Sequence, residues 1–269
     1  MVGRVTDAPI GIFDSGFGGL TVARAVVDLL PSENICYLGD TARTPYGPRP
    51  IAEVREFTLQ CLDWLVDRGV KALVIACNTA SSAALRDARE RYGELPIIEV
   101  ILPAARKAAA ISRDRQVGVV CTAATATSRS YNDALAASPV RIYTQVCPQF
   151  VPLVEAGITT GDQVMTVAEE YLAPLREQGV DTLILGCTHY PLLSGVISYL
   201  MGDEVTLVSS SDECARATFA VLTRRGLLRP PGNSASRQFV TTGGPDRFEG
   251  LGRRLMGGFV TDVQQVTLD

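Results

Sequence analysis

The sequence predicts an α/β protein made of two pseudo-symmetric α/β lobes, with mainly parallel sheets and a cleft between the lobes. Short apolar runs alternate with segments of helical apolar spacing, a pattern typical of strand-helix units in parallel sheets. Three elements recur in the same order at offsets of 107, 107 and 110 positions, for the pairs Gly11 and Gly118, Ile35 and Ile142, Cys77 and Cys187. This recurrence indicates a duplicated unit whose matching strand ends face one another across the cleft, where we expect the active site.

The apolar runs of the first copy predict its elements in chain order. They are a strand at Ile10–Phe13 and a helix from Leu20, a strand at Ile35–Leu38 and a helix from Ile51 to about Asp67, a strand at Val70–Ala76 and a helix at Ala80–Arg91, and a strand at Leu95–Val100.

The second copy repeats this order after a helix that follows Pro103. Its predicted elements are strands at Val117–Val120, Val140–Tyr143, Thr182–Gly186 and Val205–Val208, a helix through Tyr131 and a helix from Asp212 to about Leu227. A strand at Phe239–Val240 and a helix around Phe248–Met256 are expected to return to the first lobe. We therefore assign residues 1–98 and 208–269 to the first lobe and residues 99–207 to the second.

Glycine-rich and proline-rich loops follow the first two predicted strands. In DSGFGG, the glycines permit close approach of a ligand, and the helix N-terminus behind them favours an anion. A tight turn capped by Asp14 or Ser15 is the alternative, and the loop alone does not decide between them. In the loop Gly39–Pro50, Tyr46-Gly47 would present a backbone N–H to a ligand, or the loop is only a stiff connector.

Composition excludes several classes of partner. The 269 residues carry a net charge of −4 with no run of Lys or Arg, so there is no electrostatic footprint for nucleic acid. The first ten residues lack a signal-peptide core and no stretch approaches about 18 apolar residues, so we expect a cytoplasmic protein with no membrane partner. Seven cysteines without a C-x-x-C pair argue against a disulfide framework and a cysteine-rich zinc site.

Two cysteines differ from the others because each ends a buried strand and precedes polar residues at a helix start. Cys77 lies in LVIACNTASS and Cys187 in LILGCTHYPL, whereas a buried cysteine is usually an inert apolar residue. The helix N-terminus favours the thiolate by roughly 0.3–1 kcal/mol. Two weak acids on opposite faces of one carbon are what racemisation requires, with Asp14 and His189 as neighbouring helpers.

Scarce residue types argue against other chemistries. The two lysines, Lys71 and Lys107, have no glycine-rich phosphate loop beside them, which argues against pyridoxal phosphate. One histidine without an acidic cluster gives no metal site, so we expect neither a cofactor nor a metal. Three other functions stay open: a cysteine hydrolase with His189 as base, an amino-acid-binding protein without catalysis, and a racemase of another acid. For His189 itself, the alternative is a purely structural imidazole whose hydrogen bonds are made to the backbone.

Five segments together resemble the glutamate racemases of the aspartate/glutamate racemase superfamily: IGIFDSGFGGLTV, YLGDTARTPYG, ACNTAS, FVPLVEAG and LGCTHYPLL. The resemblance runs from about Ile10 to Leu228. It implies a cofactor-independent isomerase that interconverts L-glutamate and D-glutamate and supplies D-glutamate for peptidoglycan biosynthesis, cell wall biogenesis and cell shape. It also implies a homodimer, and it is the only basis for a second role as an inhibitor of DNA gyrase.

The resemblance also assigns roles to single residues. Cys77 and Cys187 would be the proton acceptor and donor, with Asp14 assisting the first cysteine and His189 the second. Substrate contacts would come from Asp14, Ser15, Tyr46, Gly47, Asn78, Thr79, Thr122, Thr188 and His189, and Glu155 matches a carboxylate near the second cysteine.

One segment departs from the family pattern. Where the family usually has a G-T-x-G-T loop in the second lobe, this chain has Cys121 and Ala124 in place of the two glycines. Both threonines are retained, so carboxylate binding through Thr122 is still expected, but the geometry of the loop is in question.

Overall fold

The computed structural model describes residues 6–232 and 234–268, which form two parallel β-sheets and their connecting helices. The first sheet has the order β10-β9-β2-β1-β3-β4, formed by β1 (Ile10–Asp14), β2 (Ile35–Gly39), β3 (Ala72–Ile75), β4 (Ile97–Glu99), β9 (Arg237–Thr241) and β10 (Gln264–Gln265). The second has the order β6-β5-β7-β8, formed by β5 (Gln116–Cys121), β6 (Arg141–Val146), β7 (Thr182–Gly186) and β8 (Thr206–Ser209).

The duplication predicted from the sequence is confirmed by strand order and register. In each sheet the four strands of one copy lie in the spatial order second, first, third, fourth. Gly11 of β1 pairs with Cys36 and Leu73. At the matching offsets, Gly118 of β5 pairs with Tyr143 and Leu183. Because the registers agree residue by residue, the loops after β1 and β3 have direct counterparts after β5 and β7.

The helices connect successive strands, as a parallel arrangement requires. They are α1 (Leu20–Leu29), α2 (Ile51–Val66), α3 (Asn78–Tyr92), α4 (Ile101–Ile111), α5 (Ala123–Ser128), α6 (Ser130–Leu135), α7 (Phe150–Glu155), α8 (Asp162–Glu177), α9 (Ser194–Met201), α10 (Ser210–Arg225) and α11 (Pro245–Met256), with 3-10 turns at Tyr190–Leu193 and Gly257–Phe259.

Three of the predicted helices have other bounds in the structure, each for an identifiable reason. α3 begins at Asn78 rather than Ala80, because the Cys77 side chain caps it by accepting from the Ala80 N–H. α4 begins before Pro103 rather than after it, which a first helical turn tolerates since its N–H groups have no intrahelical partner. The helix predicted through Tyr131 is divided into α5 and α6 by Arg129, whose φ of 57° is left-handed.

The two lobes share part of their hydrophobic core. One cluster joins Ile12 and Val74 of the first sheet with Val119 and Ile184 of the second. α10 packs against both α1 and α4, and β9 returns the chain to the first sheet beside β2, as predicted. The cleft is therefore framed by lobes that are packed together at its base.

The exact division into lobes stays a prediction. Its two boundaries, after residue 98 and before residue 208, fall inside β4 and β8. Residues 1–5, 233 and 269, which the division assigns to the first lobe, lie outside the described residues. Within 6–232 and 234–268, no helix combines the length and the apolar character that crossing a bilayer requires.

Candidate active site

A cavity of about 640 Å³ lies between the lobes and is lined by residues that follow the carboxyl ends of strands in both sheets. Ten of the eleven residues predicted for the site line it: Ser15, Tyr46, Gly47, Cys77, Asn78, Thr79, Thr122, Cys187, Thr188 and His189. A volume of this size is in the range of small-molecule sites. The structure thus brings the two strand-end cysteines to one cavity.

Cys77 lies at the junction of β3 and α3 and is 6% exposed. Its thiol donates to the Ser15 hydroxyl at 3.4 Å and accepts from the Ala80 N–H at 3.4 Å. Burial raises the pKa of the Cys77 thiol to about 11, and the negative charge of Asp14 adds to the rise. Hydrogen bonds from Ser15 and Ala80 oppose this shift, so the thiolate has donors ready when it forms.

Cys187 lies at the end of β7 with a different set of neighbours. Its Sγ is 3.8 Å from Nδ1 of His189, and the other ring nitrogen, Nε2, is 3.2 Å from Oε1 of Glu155. Burial raises the pKa of Cys187 well above its usual value, the backbone N–H of His189 lowers it, and the charge of Cys77 raises it. The second thiol therefore has an imidazole and a carboxylate in series behind it.

Asp14 is the predicted site residue that does not line the cavity. It is fully buried, and its Oδ2 accepts from the Gly16 N–H at 2.9 Å. No described residue donates a hydrogen bond to Oδ1. Burial raises the pKa of Asp14, whereas the nearby His189 lowers it. The carboxyl group is thus close enough to Cys77 to influence the thiol through its charge.

The glycine-rich loop contacts the second lobe rather than leaving open space. A Cβ at Gly18 would overlap Oγ1 of Thr188 and Nδ1 of His189. A Cβ at Gly19 would overlap the side chain of Asp14. Neither Asp14 nor Ser15 caps α1, whose N-cap is Gly19 without a side-chain hydrogen bond. Gly18 and Gly19 are therefore needed for close packing of protein against protein.

Hydroxyl groups bridge the two lobes on another wall of the cavity. Oγ1 of Thr79 is 2.9 Å from Oγ1 of Thr122 and 3.4 Å from Oγ1 of Thr125. The Ala124 N–H donates to the Gly47 carbonyl at 3.0 Å. Cys121 and Ala124, which replace the family glycines, fit this arrangement: the cysteine is fully buried in the core, and the alanine N–H makes the bond between lobes.

Tyr46 and Asn78 use their side chains for structure. The Tyr46 hydroxyl donates to the buried carboxylate of Asp40, and its ring packs between Phe13 and Phe57. Asn78 accepts from the Tyr131 hydroxyl at 2.7 Å. Ligand binding through the backbone N–H groups at Tyr46-Gly47 therefore stays a prediction.

Sequence analysis did not select several residues of the cavity wall. They include Thr41, Cys147, Pro148, Val151, and Arg247 at the start of α11. Thr41 lies within the segment YLGDTARTPYG and could have been noticed there. Arg247 carries no local signal, because its place depends on the return of α11 to the cleft.

The arrangement can carry out proton transfer at one carbon held between two thiols. Each cysteine has hydrogen-bond donors and a titratable neighbour, and the threonine hydroxyls can bind carboxylate oxygens. The described residues contain no cluster of three or more His, Cys, Asp or Glu that could hold a metal ion.

Comparison with known proteins places these features in a family. Residues 18–218 match the family model described as Asp/Glu/Hydantoin racemase. A glutamate racemase of Parafrankia sp. (strain EAN1pec) is 57% identical over 261 residues, covering 96% of this chain and 94% of its own.

Solved structures give the same result at the level of the fold. A glutamate racemase of Bacillus anthracis superposes with a TM-score of 0.91 at 37% identity, covering 98% of both chains. A glutamate racemase of Francisella tularensis, determined in complex with D-glutamate, has a TM-score of 0.91 at 33% identity over 98% of this chain and 99% of its own.

Proposed function

The chain belongs to the Asp/Glu/hydantoin racemase family, and from that premise we propose that it interconverts L-glutamate and D-glutamate by proton transfer between two thiols. The observation that carries the proposal is the joint presence of Cys77 and Cys187 in one cavity at matching strand ends. The named relatives, including the one determined with D-glutamate, support glutamate as the substrate.

In the proposed mechanism, the α-carbon of glutamate lies between the two sulfur atoms. One cysteine, as thiolate, removes the α-proton from one face, and the other, as thiol, donates its proton to the opposite face. The roles exchange for the reverse reaction, so each thiol is the base for one enantiomer. No atom other than the α-proton is exchanged, and the sum of charges on the two thiols is unchanged.

Burial makes the thiolate costly before substrate arrives, because the pKa of both cysteines is raised. The α-ammonium group of an amino acid carries a positive charge into the same cavity, and a nearby positive charge favours the thiolate. We propose that Asp14 acts on Cys77, and that His189, held by Glu155 at 3.2 Å, acts on Cys187. Substrate carboxylates would be held by Ser15, Thr79, Thr122 and Thr188, and by backbone N–H groups.

The biological role follows from the family. D-glutamate supplied by this reaction would enter peptidoglycan, and so serve cell wall biogenesis and cell shape. A homodimer and a cytoplasmic location remain part of the proposal.

The test is to incubate the purified protein with L-glutamate in D₂O, without added cofactor, and to follow loss of the Cα–H signal by NMR beside formation of D-glutamate. Deuterium at Cα with appearance of the D-enantiomer is the expected result. Exchange with aspartate but not glutamate would assign another acid to the site. An acyl-enzyme without exchange would indicate a cysteine hydrolase, and tight binding without exchange would indicate a binding protein.

A further inference from the structure

Arg247 is a cation at the cavity that the mechanism above does not use. It is the one Lys or Arg among the described residues that line the cavity. It lies in the first turn of α11 and is exposed. Its guanidinium lies 5.9 Å from the ring centroid of Phe17, which in turn stacks on Phe248 at 5.2 Å. The residue therefore places an exposed positive charge at the cavity wall.

The other two arginines of α11 have polar partners within the protein. Arg253 pairs with Glu249 of the same helix, and Arg254 donates to the backbone carbonyl of Glu155 in the second lobe. Within the described part of the chain, no Asp or Glu carboxylate lies within 4.0 Å of the Arg247 guanidinium. The ion pairs at that distance all join other residues. The guanidinium is therefore available to a carboxylate from outside.

The substrate chemistry supplies such a carboxylate. Glutamate at neutral pH carries two carboxylates and one ammonium group, and so has one net negative charge. It must enter a protein of net charge −4 through a cavity whose wall also includes Glu155. A guanidinium fork matches carboxylate geometry, and a cation beside a cleft raises the local concentration of an anion.

Resting on the proposed function, we propose that Arg247 recruits the carboxylate of the acidic amino acid at the mouth of the cavity and selects it over neutral amino acids. Because the residue is exposed, its contribution is reduced by salt. Because it acts on binding and entry rather than on the α-proton, its loss lowers kcat/KM more than kcat. It is a specificity-determining residue of the entry path, and the thiols carry out the proton transfer.

The experiment compares Arg247→Gln with the matched control Arg253→Gln, which removes one positive charge from the same helix but does not line the cavity. We expect Arg247→Gln to lower kcat/KM about threefold to tenfold at low salt, in both directions equally since the equilibrium constant between enantiomers is one. High NaCl should abolish most of the difference from the native protein. Arg247→Lys should recover part of the loss, and Arg253→Gln should have native kinetics.

Calorimetric binding of glutamate and of glutamine to the native protein and to Arg247→Gln completes the test. The variant should lose affinity for glutamate and keep its affinity for glutamine. The inference would be overturned if Arg247→Gln lost affinity for glutamate and glutamine equally, or if Arg247→Gln and Arg253→Gln had equal effects. It would also be overturned if Arg247→Gln left kcat/KM and its salt dependence unchanged. If the native protein failed to racemise glutamate, the proposed function would fail, while the binding comparison would still decide the role of Arg247.

Discussion

The two halves of the cleft have the same backbone plan but different acid-base neighbours. Cys77 is influenced by the charge of Asp14, a fully buried carboxyl group that accepts from the Gly16 N–H. Cys187 is backed by His189 and Glu155, with successive distances of 3.8 Å and 3.2 Å. Two equivalent positions have thus acquired two different ways of influencing a buried thiol.

The register shows where the difference arises. At an offset of 107, the counterpart of Asp14 is Cys121, and at an offset of 110 the counterpart of His189 is Thr79. One half therefore holds a carboxyl group where the other has a thiol, and the second half holds an imidazole where the first has a hydroxyl. The duplicated fold places the two thiols, and single residues at the ends of the strands make their environments unequal.

Replacing the cysteines one at a time tests whether the two halves act on opposite faces. Cys77→Ser and Cys187→Ser should each lower kcat/KM for racemisation by about 10²- to 10⁴-fold, because a serine hydroxyl is a far weaker acid than a thiol. Any residual Cα exchange in D₂O should involve one enantiomer in the first variant and the other enantiomer in the second. Residual exchange of the same enantiomer in both, or native racemisation by Cys187→Ser, would contradict the two-thiol mechanism.

Removing the buried charge of the first half should act mainly on its own thiol. The negative charge of Asp14 raises the pKa of Cys77, so Asp14→Asn should lower that pKa and increase the thiolate fraction at neutral pH. Racemisation should nevertheless fall by about 10²-fold if the carboxyl group assists proton transfer.

The measurement is the pH dependence of iodoacetamide alkylation, with the modified peptide identified by mass spectrometry. The alkylation profile of Cys77 should move to lower pH in Asp14→Asn. Cys187 is the internal control, because burial, the His189 N–H and Cys77 all affect its pKa more than Asp14 does. Equal shifts of the alkylation profiles of both cysteines would show that the charge of Asp14 does not act mainly on Cys77.

The contact between halves can be tested at Gly18. In Gly18→Ala, the new Cβ would overlap Thr188 and His189, so the second half must move away. We expect unfolding free energy to fall by about 1–3 kcal/mol, as in other overpacked sites, together with loss of activity. The control is Gly195→Ala in α9, where a Cβ meets nothing within 4 Å and alanine favours the helix. Urea denaturation that gave the same change for both variants would argue against close packing at Gly18.

The smallest effect on racemisation is expected at Glu155, which contacts His189 rather than the Cys187 thiol. Glu155→Gln keeps a hydrogen-bonding group near His189 but removes its charge, and charge-assisted bonds are stronger than neutral ones by about 1 kcal/mol. We expect kcat to fall about fivefold to tenfold, with little change in unfolding free energy. Stopped racemisation assays monitored by circular dichroism would measure the change, and a loss as large as that of Cys187→Ser would place Glu155 in the proton transfer itself.

Much of the fold and the core of the site could be predicted from the sequence. The alternation of apolar strands with helical spacing, and its repetition at 107 to 110 positions, predicted two parallel sheets that the structure confirms. The position of Cys77 and Cys187 at strand ends was predicted for the same reason. α8 was missed, although Val164, Ala168, Tyr171 and Leu175 have helical spacing on its buried face.

What the sequence determined by itself was local and periodic: the strands, most of the helices, and the polar residues that follow each strand. Only the tertiary structure decided that Gly18 packs on Thr188, that Glu155 supports His189, and that Arg247 reaches the cavity from the last helix. These residues meet because two lobes pack on a shared core and the chain returns to the first sheet. Contacts between positions far apart in the chain follow from that packing, and no periodic pattern along the sequence encodes them.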